Sequence, residues 1–589
     1  MKSDDLILHI CVVGFHHKFG YQLEYCYPPI GECKDSTSGA IELPPLWANL
    51  PSLALPDGAH NVESDSIFFI LPSLAQHNRT VYGISCYRQI PADDLIEKDE
   101  QVTRSSVQKS VCVLSKVPLY GVLTTKLELI TQAYFNEKNF SKVDVLIQMH
   151  RNLCDLFNSD YLDNQTIYAG ISLSPLLNAF RHRALVLFKL LLLERRVIFN
   201  MFPVQTLGAN LIGLISLFPG MLEEGLNEAA TYSVLRSTNP SVESRNVTES
   251  NGNKESAISA DSISIELVQT NNPSSFNTNE YGFPLSIFTK GSIFHPYLGI
   301  DSMDMLRSDN IRAYCIGVTN SLFLQRLETV DATVTLNDKQ EGQINILCPE
   351  MKRELSLTKQ DLRFMDFILK TMEMNANTSV WVGSDDWIRS QFHEYLVALL
   401  SSTASNVKET IVEFNEDFIE SLRTKHNHRV WSCSKHPGFS DISAKHPFSG
   451  QLSMNDVLLQ VNHTITGTQQ GRKVISTFSN TSKYVTDTGS RFKASLFSWV
   501  KGNNANSNAN NIEEAKAVEG ISDASMRNLS GYRLFAKENR GAMQAKLEGS
   551  SARDILKEMG HAWSHLPEEE KKKWNDMAAS IKGEHSNQI

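Results

Sequence analysis

Near its start the chain carries an almost unbroken apolar run, in which Leu6, Leu8, Ile10 and Val12 alternate with Ile7, His9, Cys11 and Val13. A strand with apolar residues at both phases is buried on both faces. His16, His17, Lys18, Phe19 and Gly20 then read as a tight turn, with Gly20 free to take a positive φ. Leu23, Tyr25 and Tyr27 form one face of a returning strand, which Pro28 and Pro29 stop. Further strand patterns cover residues 66–71 and 80–89. Beyond residue 118 the period lengthens: Leu123, Leu127 and Ile130 mark one helical face, and residues 185–193 another.

Residues 197–222 hold no charge and are long enough to span a bilayer. Asn200, Pro203, Gln205, Asn210 and Pro219 interrupt them, and Glu194, Arg195 and Arg196 precede them. The pattern predicts a buried strand over 197–202 and a buried helix over 206–218, within a soluble core. Residues 227–280 are rich in Ser, Asn, Thr and Glu and poor in aromatics, the signature of a disordered insertion. Strand patterns resume from Tyr281, with a further short strand and turn over 312–323. Residues 362–372 and 387–400 read as helices, the second with Ser384 as N-cap and Asp385 and Asp386 set against its positive end. From His426 the pattern is irregular, an asparagine-rich linker follows Gly502, and a compact helical module covers 525–579.

With 589 residues the chain exceeds one core, so two to four domains are expected. A net charge of -10 argues against a surface devoted wholly to nucleic acid. Nine cysteines without a CxxC pair read as reduced, buried thiols of the cytosol or nucleus. Asp4 and Asp5 precede the first apolar run, unlike a signal peptide. Asp385 and Asp386 diverge by about 100° on a helix and do not share an acid site. His426, His428, Cys433, His436 and His446 are the one dense donor cluster, but their spacing matches no common zinc module. No phosphate loop, nucleophile elbow, zinc-protease or dinucleotide fingerprint stands out, so no catalytic residue, metal or cofactor is expected.

Residues 472–500 place Ile475, Phe478, Val485, Phe492, Leu496 and Trp499 at three- and four-residue steps, interrupted by Ser482 and Gly489. Lys483, Arg491 and Lys493 lie on the other face, which is rich in Ser and Thr. Such a helix can lie in a membrane interface, with Phe492, Leu496 and Trp499 as its contacts; a packing helix and a disordered tail are the alternatives.

Several strings, in one order, resemble the Avl9 family of DENN-domain proteins. They are VVGFHHKFGYQLEYCYPP at 12–29, LPDGAHN at 55–61, YGISCYRQI at 82–90, VQKSVCVLSKVPLYG at 107–121 and LFKLLLLERRVIF at 187–199. LISLFPGM at 214–221, GVTNSLF at 317–323, DDWIRSQF at 385–392 and KHPFSGQ at 445–451 continue the series. The resemblance implies late secretory traffic and a DENN-like body: a longin-like module, a central α/β module and a helical end. It also implies a Rab-type GTPase or vesicle machinery as partner. Nucleotide exchange stays open, because exchange remodels a partner and leaves no catalytic motif.

The tail resembles an HMG box through RNLSGYRLFAKENR at 527–540 and SSARDILKEMGHAWSHLPEEEKKKW at 550–574. The resemblance implies a three-helix module with an aromatic core of Tyr532, Phe535, Trp563 and Trp574, and DNA contacts from Arg527, Arg533, Lys537 and Arg540. Arg533 and Ala552 stand where such boxes place apolar wedges, which implies weak binding with little bending.

The whole reads as α/β plus all-α. The expected parts are a longin-like module over 1–116, a central module over 117–226 and 281–345 around the insertion at 227–280, and a helical module over 346–460. An amphipathic segment and linker over 461–524 and the HMG-box-like module over 525–580 follow. The functional expectation is a cytoplasmic protein peripheral to Golgi or endosomal membranes. The alternative is a nuclear DNA-binding protein whose body is a scaffold.

Overall fold

The computed structural model describes residues 5–16, 18–30, 41–76, 78–96, 105–157, 164–230, 278–325, 330–375, 380–405, 407–440, 442 and 444–450, with 571–573 and 576 of the tail. The chain divides into two units, residues 1–481 and 482–589. The expected disordered insertion lies largely outside the described residues, as do the amphipathic segment and nearly all of the HMG-box-like module.

The first sheet is antiparallel. It comprises β1 (Ile7–His16), β2 (Gly20–Tyr27), β3 (Ser64–Pro72), β4 (Thr80–Pro91) and β5 (Ser106–Ser115), in the order β2-β1-β5-β4-β3. The opening strand pair is the one its apolar alternation predicts, with Cys11 opposite Cys26 and a register shift at Val12/Val13. Helix α1 (Leu50–Ala54) packs against this sheet, and α2 (Tyr120–Asn136) buries Leu123, Leu127 and Ile130 at the expected period. Helix α3 (Asp144–Leu156) lies beside β1.

After α4 (Asn164–Tyr168), α5 (Ser174–Phe180) and α6 (Ala184–Leu192) comes the second sheet: β6 (Arg196–Asn200), β7 (Ser292–His295), β8 (Ala313–Val318), β9 (Ala332–Leu336) and β10 (Gly342–Ile346). Its order is β10-β9-β6-β8-β7. Strand β6 pairs in parallel with both β8 and β9, β7 pairs in parallel with β8, and β10 closes the edge antiparallel to β9. Strand β6 precedes the insertion and β7 and β8 follow it, so both flanks build one sheet. The uncharged run resolves into β6 and α7 (Val204–Ile215), each shorter than its predicted span. Among the described residues, no helix is long and apolar enough to cross a membrane.

The helical end holds α8 (Pro349–Glu354), α9 (Lys359–Asn375), α10 (Asp385–Ser405), α11 (Lys408–Glu413), α12 (Glu416–Arg423) and α13 (His426–Ser432). The last of these lies where the sequence reads as irregular. Its cap comes from afar: the Glu194 carboxylate accepts from the backbone N–H groups of His426 and Asn427, each at 3.0 Å. Ser384 caps α10 as expected, its hydroxyl accepting from Trp387 N at 3.3 Å.

A fully buried ion pair sits where these helices meet. Lys189 Nζ of α6 lies 2.6 Å from Asp361 of α9, and the Tyr395 hydroxyl donates to the same carboxylate at 2.7 Å. Burial would push the Asp361 carboxyl up, but Lys189 and His446 hold it well below the usual range. Removing one member of a buried pair strands the other charge, at about 3–5 kcal/mol. His446 Nδ1 accepts from Phe448 N at 3.0 Å, leaving Nε2 to face Asp361.

Burial also lowers several histidines: His428 falls to about 4, and His295 and His393 to about 3. In the unfolded chain they take up protons near pH 6.5, while the folded chain resists. Their contribution to stability is present above about pH 6.5 and is lost progressively as pH falls towards the folded values. We expect His428→Gln to lose less of its urea midpoint between pH 7 and pH 5 than the parent. Parallel loss in both proteins would show that His428 does not titrate in this way.

Candidate partner-binding site

The site starts from Asp57, in the turn after α1. Pro56 and Gly58 flank it, and Gly58 takes a φ of +82°, a conformation glycine adopts without strain. Asp57 is a four-way joint between the two sheets. Its carboxylate accepts from the Tyr21 hydroxyl of β2 at 3.3 Å and from Ile300 N at 3.1 Å. Its backbone N–H donates to the Tyr297 hydroxyl at 2.8 Å, and its carbonyl accepts from the Thr319 hydroxyl at 3.0 Å. Burial pushes the Asp57 carboxyl up, and the Ile300 N–H opposes that shift. Burial likewise raises the Tyr21 phenol, with the Asp57 charge adding to it.

A second acid makes a parallel joint. Asp65 of β3 accepts from Val204 N and Gln205 N at the start of α7, both at 2.8 Å. These N–H groups have no partner within the helix, so the first sheet caps a helix of the second. Nearby, the Phe68 ring lies where a side chain on Gly208 would be, so α7 presses close to β3. At Gly317 the Pro296 carbonyl would stand 2.1 Å from an added Cβ, which explains glycine at that place in β8.

These contacts gather around the carboxyl ends of β6, β7 and β8. In open parallel sheets that edge is the usual crevice for small ligands. Here the Asp57 turn and the Asp65 carboxylate meet the segments that follow those strands. The segments joined there carry exposed apolar side chains: Phe19 is 61% exposed, Phe202 40% and Leu322 45%. Phe19 stacks on His16 at 4.7 Å, Phe15 meets Tyr21 edge-on at 5.2 Å, and the Phe202 ring lies against Gly58. Three of the strings that carry the family resemblance, at 12–29, 55–61 and 317–323, therefore meet at one joint.

The other singled-out residues have separate roles. Asp385 accepts from Leu173 N at 2.8 Å, whereas Asp386 pairs with Arg389 at 2.7 Å, so the two acids diverge. The histidines of the donor cluster also part: His428 meets Thr403 at 2.9 Å, His436 meets the Trp431 carbonyl at 2.8 Å, and His446 faces Asp361. Among the described residues no group of His, Cys, Asp and Glu is arranged to hold a metal ion. Arg527, Arg533, Lys537, Arg540, Tyr532, Phe535, Trp563, Trp574, Phe492, Leu496 and Trp499 lie outside the described residues. The Asp57 joint escaped sequence reasoning because its partners lie far apart along the chain; the short PDG turn was the available signal.

Together these features define a mixed α/β body in which two five-stranded sheets share a hydrogen-bonded seam. Residues 7–403 match the family model described as transport protein Avl9, and the chain belongs to the Avl9 family. Residues 525–589 match the HMG (high mobility group) box model. The chain is 31% identical over 431 residues to the late secretory pathway protein AVL9 of Saccharomyces cerevisiae, covering 68% of this chain and 52% of that relative. It is 31% identical over 402 residues to late secretory pathway protein avl9 of Schizosaccharomyces pombe, covering 67% of this chain and 76% of that protein. A shorter match, 25% identical over 143 residues, is to a DENND6 homolog of Dictyostelium discoideum, covering 23% of this chain and 18% of that protein. The chain thus spans about half the length of the budding-yeast relative.

Asp57→Ala removes both carboxylate bonds while keeping the backbone ones. We expect it to lower stability by about 1–3 kcal/mol, the cost of leaving partly buried donors unpaired. Hydrogen exchange should quicken at Ile300 while the Lys189–Asp361 region keeps its protection. Uniform loss of protection would show that Asp57 supports the whole body rather than the seam.

Proposed function

We propose that this protein acts in late secretory traffic, as a peripheral factor whose body docks a Rab-type GTPase or another component of the vesicle machinery. The observation that carries this reading is the seam, where three family-resembling strings meet and expose Phe19 and Leu322, with Phe202 exposed beside them. Family membership and the names of the two yeast relatives support the traffic role. Aromatic and aliphatic side chains standing out from a rigid hydrogen-bonded base suit an interface core. Nucleotide exchange on the GTPase would need tighter binding of its nucleotide-free form, since a ligand shifts an equilibrium only by differential affinity.

The test is a binding panel of Rab-type GTPases in nucleotide-free and GDP-loaded forms against the full chain. We expect one or a few to bind, and Phe19→Asp combined with Leu322→Asp to weaken that binding at least tenfold without altering thermal unfolding. Unchanged binding by a folded double variant would remove the seam as the docking face. Failure of every GTPase would leave other vesicle components as the partners to test.

The HMG-box match favours a second activity in the tail: weak DNA binding through Arg527, Arg533, Lys537 and Arg540, with little sequence preference. Arg533 is ill suited to enter a base stack, and Ala552 is too short. Arg533→Phe should therefore increase bending in an energy-transfer assay more than it increases affinity at low salt. A large bend by the unaltered protein would refute the wedge argument. Membrane contact through Phe492, Leu496 and Trp499 is a further part of the proposal, read by flotation of the triple alanine variant with liposomes.

A further inference from the structure

The first hairpin holds a feature that partner docking does not use. Cys11 on β1 and Cys26 on β2 are direct cross-strand partners, and their sulfur atoms lie 3.4 Å apart. Opposed residues in an antiparallel pair have Cα atoms about 4.5–5.5 Å apart, inside the span a disulfide bridges. We propose that Cys11 and Cys26 form a reversible oxidation site, in which a peroxide converts the two thiols to a disulfide that pins β2 to β1.

Several observations make this pair different from the other thiols. Cys11 Sγ donates to Cys26 Sγ, so Cys11 offers its proton to its neighbour. That hydrogen bond draws the Cys26 thiol down to about 6, against the opposing effect of burial, and His9 beside it acts in the same direction. Of the pair, Cys26 alone is drawn down: the bond to Cys26 and burial raise Cys11 well above its ordinary value, and burial pushes Cys86 up to about 12 and Cys112 well above its ordinary value. Strand β2 is the edge of its sheet, and Cys26 is 7% exposed while Cys11 is fully buried. Reagent therefore reaches the pair from the Cys26 side, and the thiolate is the reactive form.

The chemistry balances in two steps. The Cys26 thiolate attacks a peroxide oxygen, the O–O bond breaks, and with a proton taken up Cys26 becomes a sulfenic acid while water leaves. Cys11 sulfur then attacks the Cys26 sulfur, the S–O bond breaks, and the hydroxyl leaves as a second water with the Cys11 proton. Both thiols are oxidised and one peroxide is reduced to two waters. Closure needs the sulfurs to approach from 3.4 Å to about 2.05 Å, a rotamer-scale movement. A dithiol reductant reverses it by exchange.

The experiment exposes the folded full-length protein to hydrogen peroxide, quenches with an alkylating agent, and maps disulfides by peptide mass spectrometry. We expect a Cys11–Cys26 linkage that forms faster than Cys86, Cys112 or Cys315 is modified, and that a dithiol reductant removes. In Cys11→Ser and, separately, Cys11→Ala, dimedone should trap a sulfenic acid on Cys26 instead. Two results overturn the proposal: no Cys11–Cys26 linkage under conditions that oxidise the exposed Cys433, or linkage only after the chain is denatured. Linkage in the parent is read without any variant, so a variant that fails to fold does not obscure the outcome.

Discussion

A helix leaves its first backbone N–H groups without partners, and those of α7 find theirs on another sheet. Asp65 of β3 accepts from Val204 and Gln205, so the helix that follows β6 starts where the first sheet places a carboxylate. Asp57 repeats the device a few residues earlier in the chain, binding Ile300 N beyond β7 and Thr319 beyond β8. The two sheets are therefore held in register by directional bonds as well as by apolar packing. The exposed rings of Phe19 and Phe202 inherit their positions from these joints.

Another part of the body, where α6 meets α9 and α10, is organised by charge. Lys189 and Asp361 are both fully buried, and the carboxylate also meets Tyr395, His446 and the Thr358 backbone N–H. A buried pair adds little net stability over an apolar pair of equal volume, yet it is unforgiving of misalignment. It fixes how α6, α9 and α10 meet. Glu194 does similar work between the turn after α6, Arg312 beside β8, and the start of α13.

Local periodicity made much of the fold legible. The opening strand pair, β3, β4, α2, α6, α9 and α10 follow from apolar spacing alone, because each buries a face of regular period. Two errors share one cause. Helix α13 has His426, His428 and Arg429 in a short run with little apolar pattern, and its cap is a glutamate far back in the chain. The seam likewise depends on the Asp57 backbone and the Tyr297 and Thr319 hydroxyls, which meet only after both sheets form. Long-range hydrogen bonds leave no periodic trace. The β9–β10 hairpin was missed for a different reason: Thr333, Thr335, Gln343 and Asn345 interrupt its strands, so few apolar positions mark them.

The pairing of β6 with β8 carries a consequence for how this sheet tolerates change. The chain leaves the sheet after β6 and returns at β7, so a loop placed between them has both ends held by the sheet already. The entropy of closing such a loop grows only with the logarithm of its length, about 0.6 kcal/mol for each doubling. Lengthening a loop there therefore costs little, whereas a single residue added between β6 and α7 would pull a helix start away from Asp65. Tolerance to insertion in this body is set by where its ends are fastened, and adjacent stretches of one chain differ in it sharply.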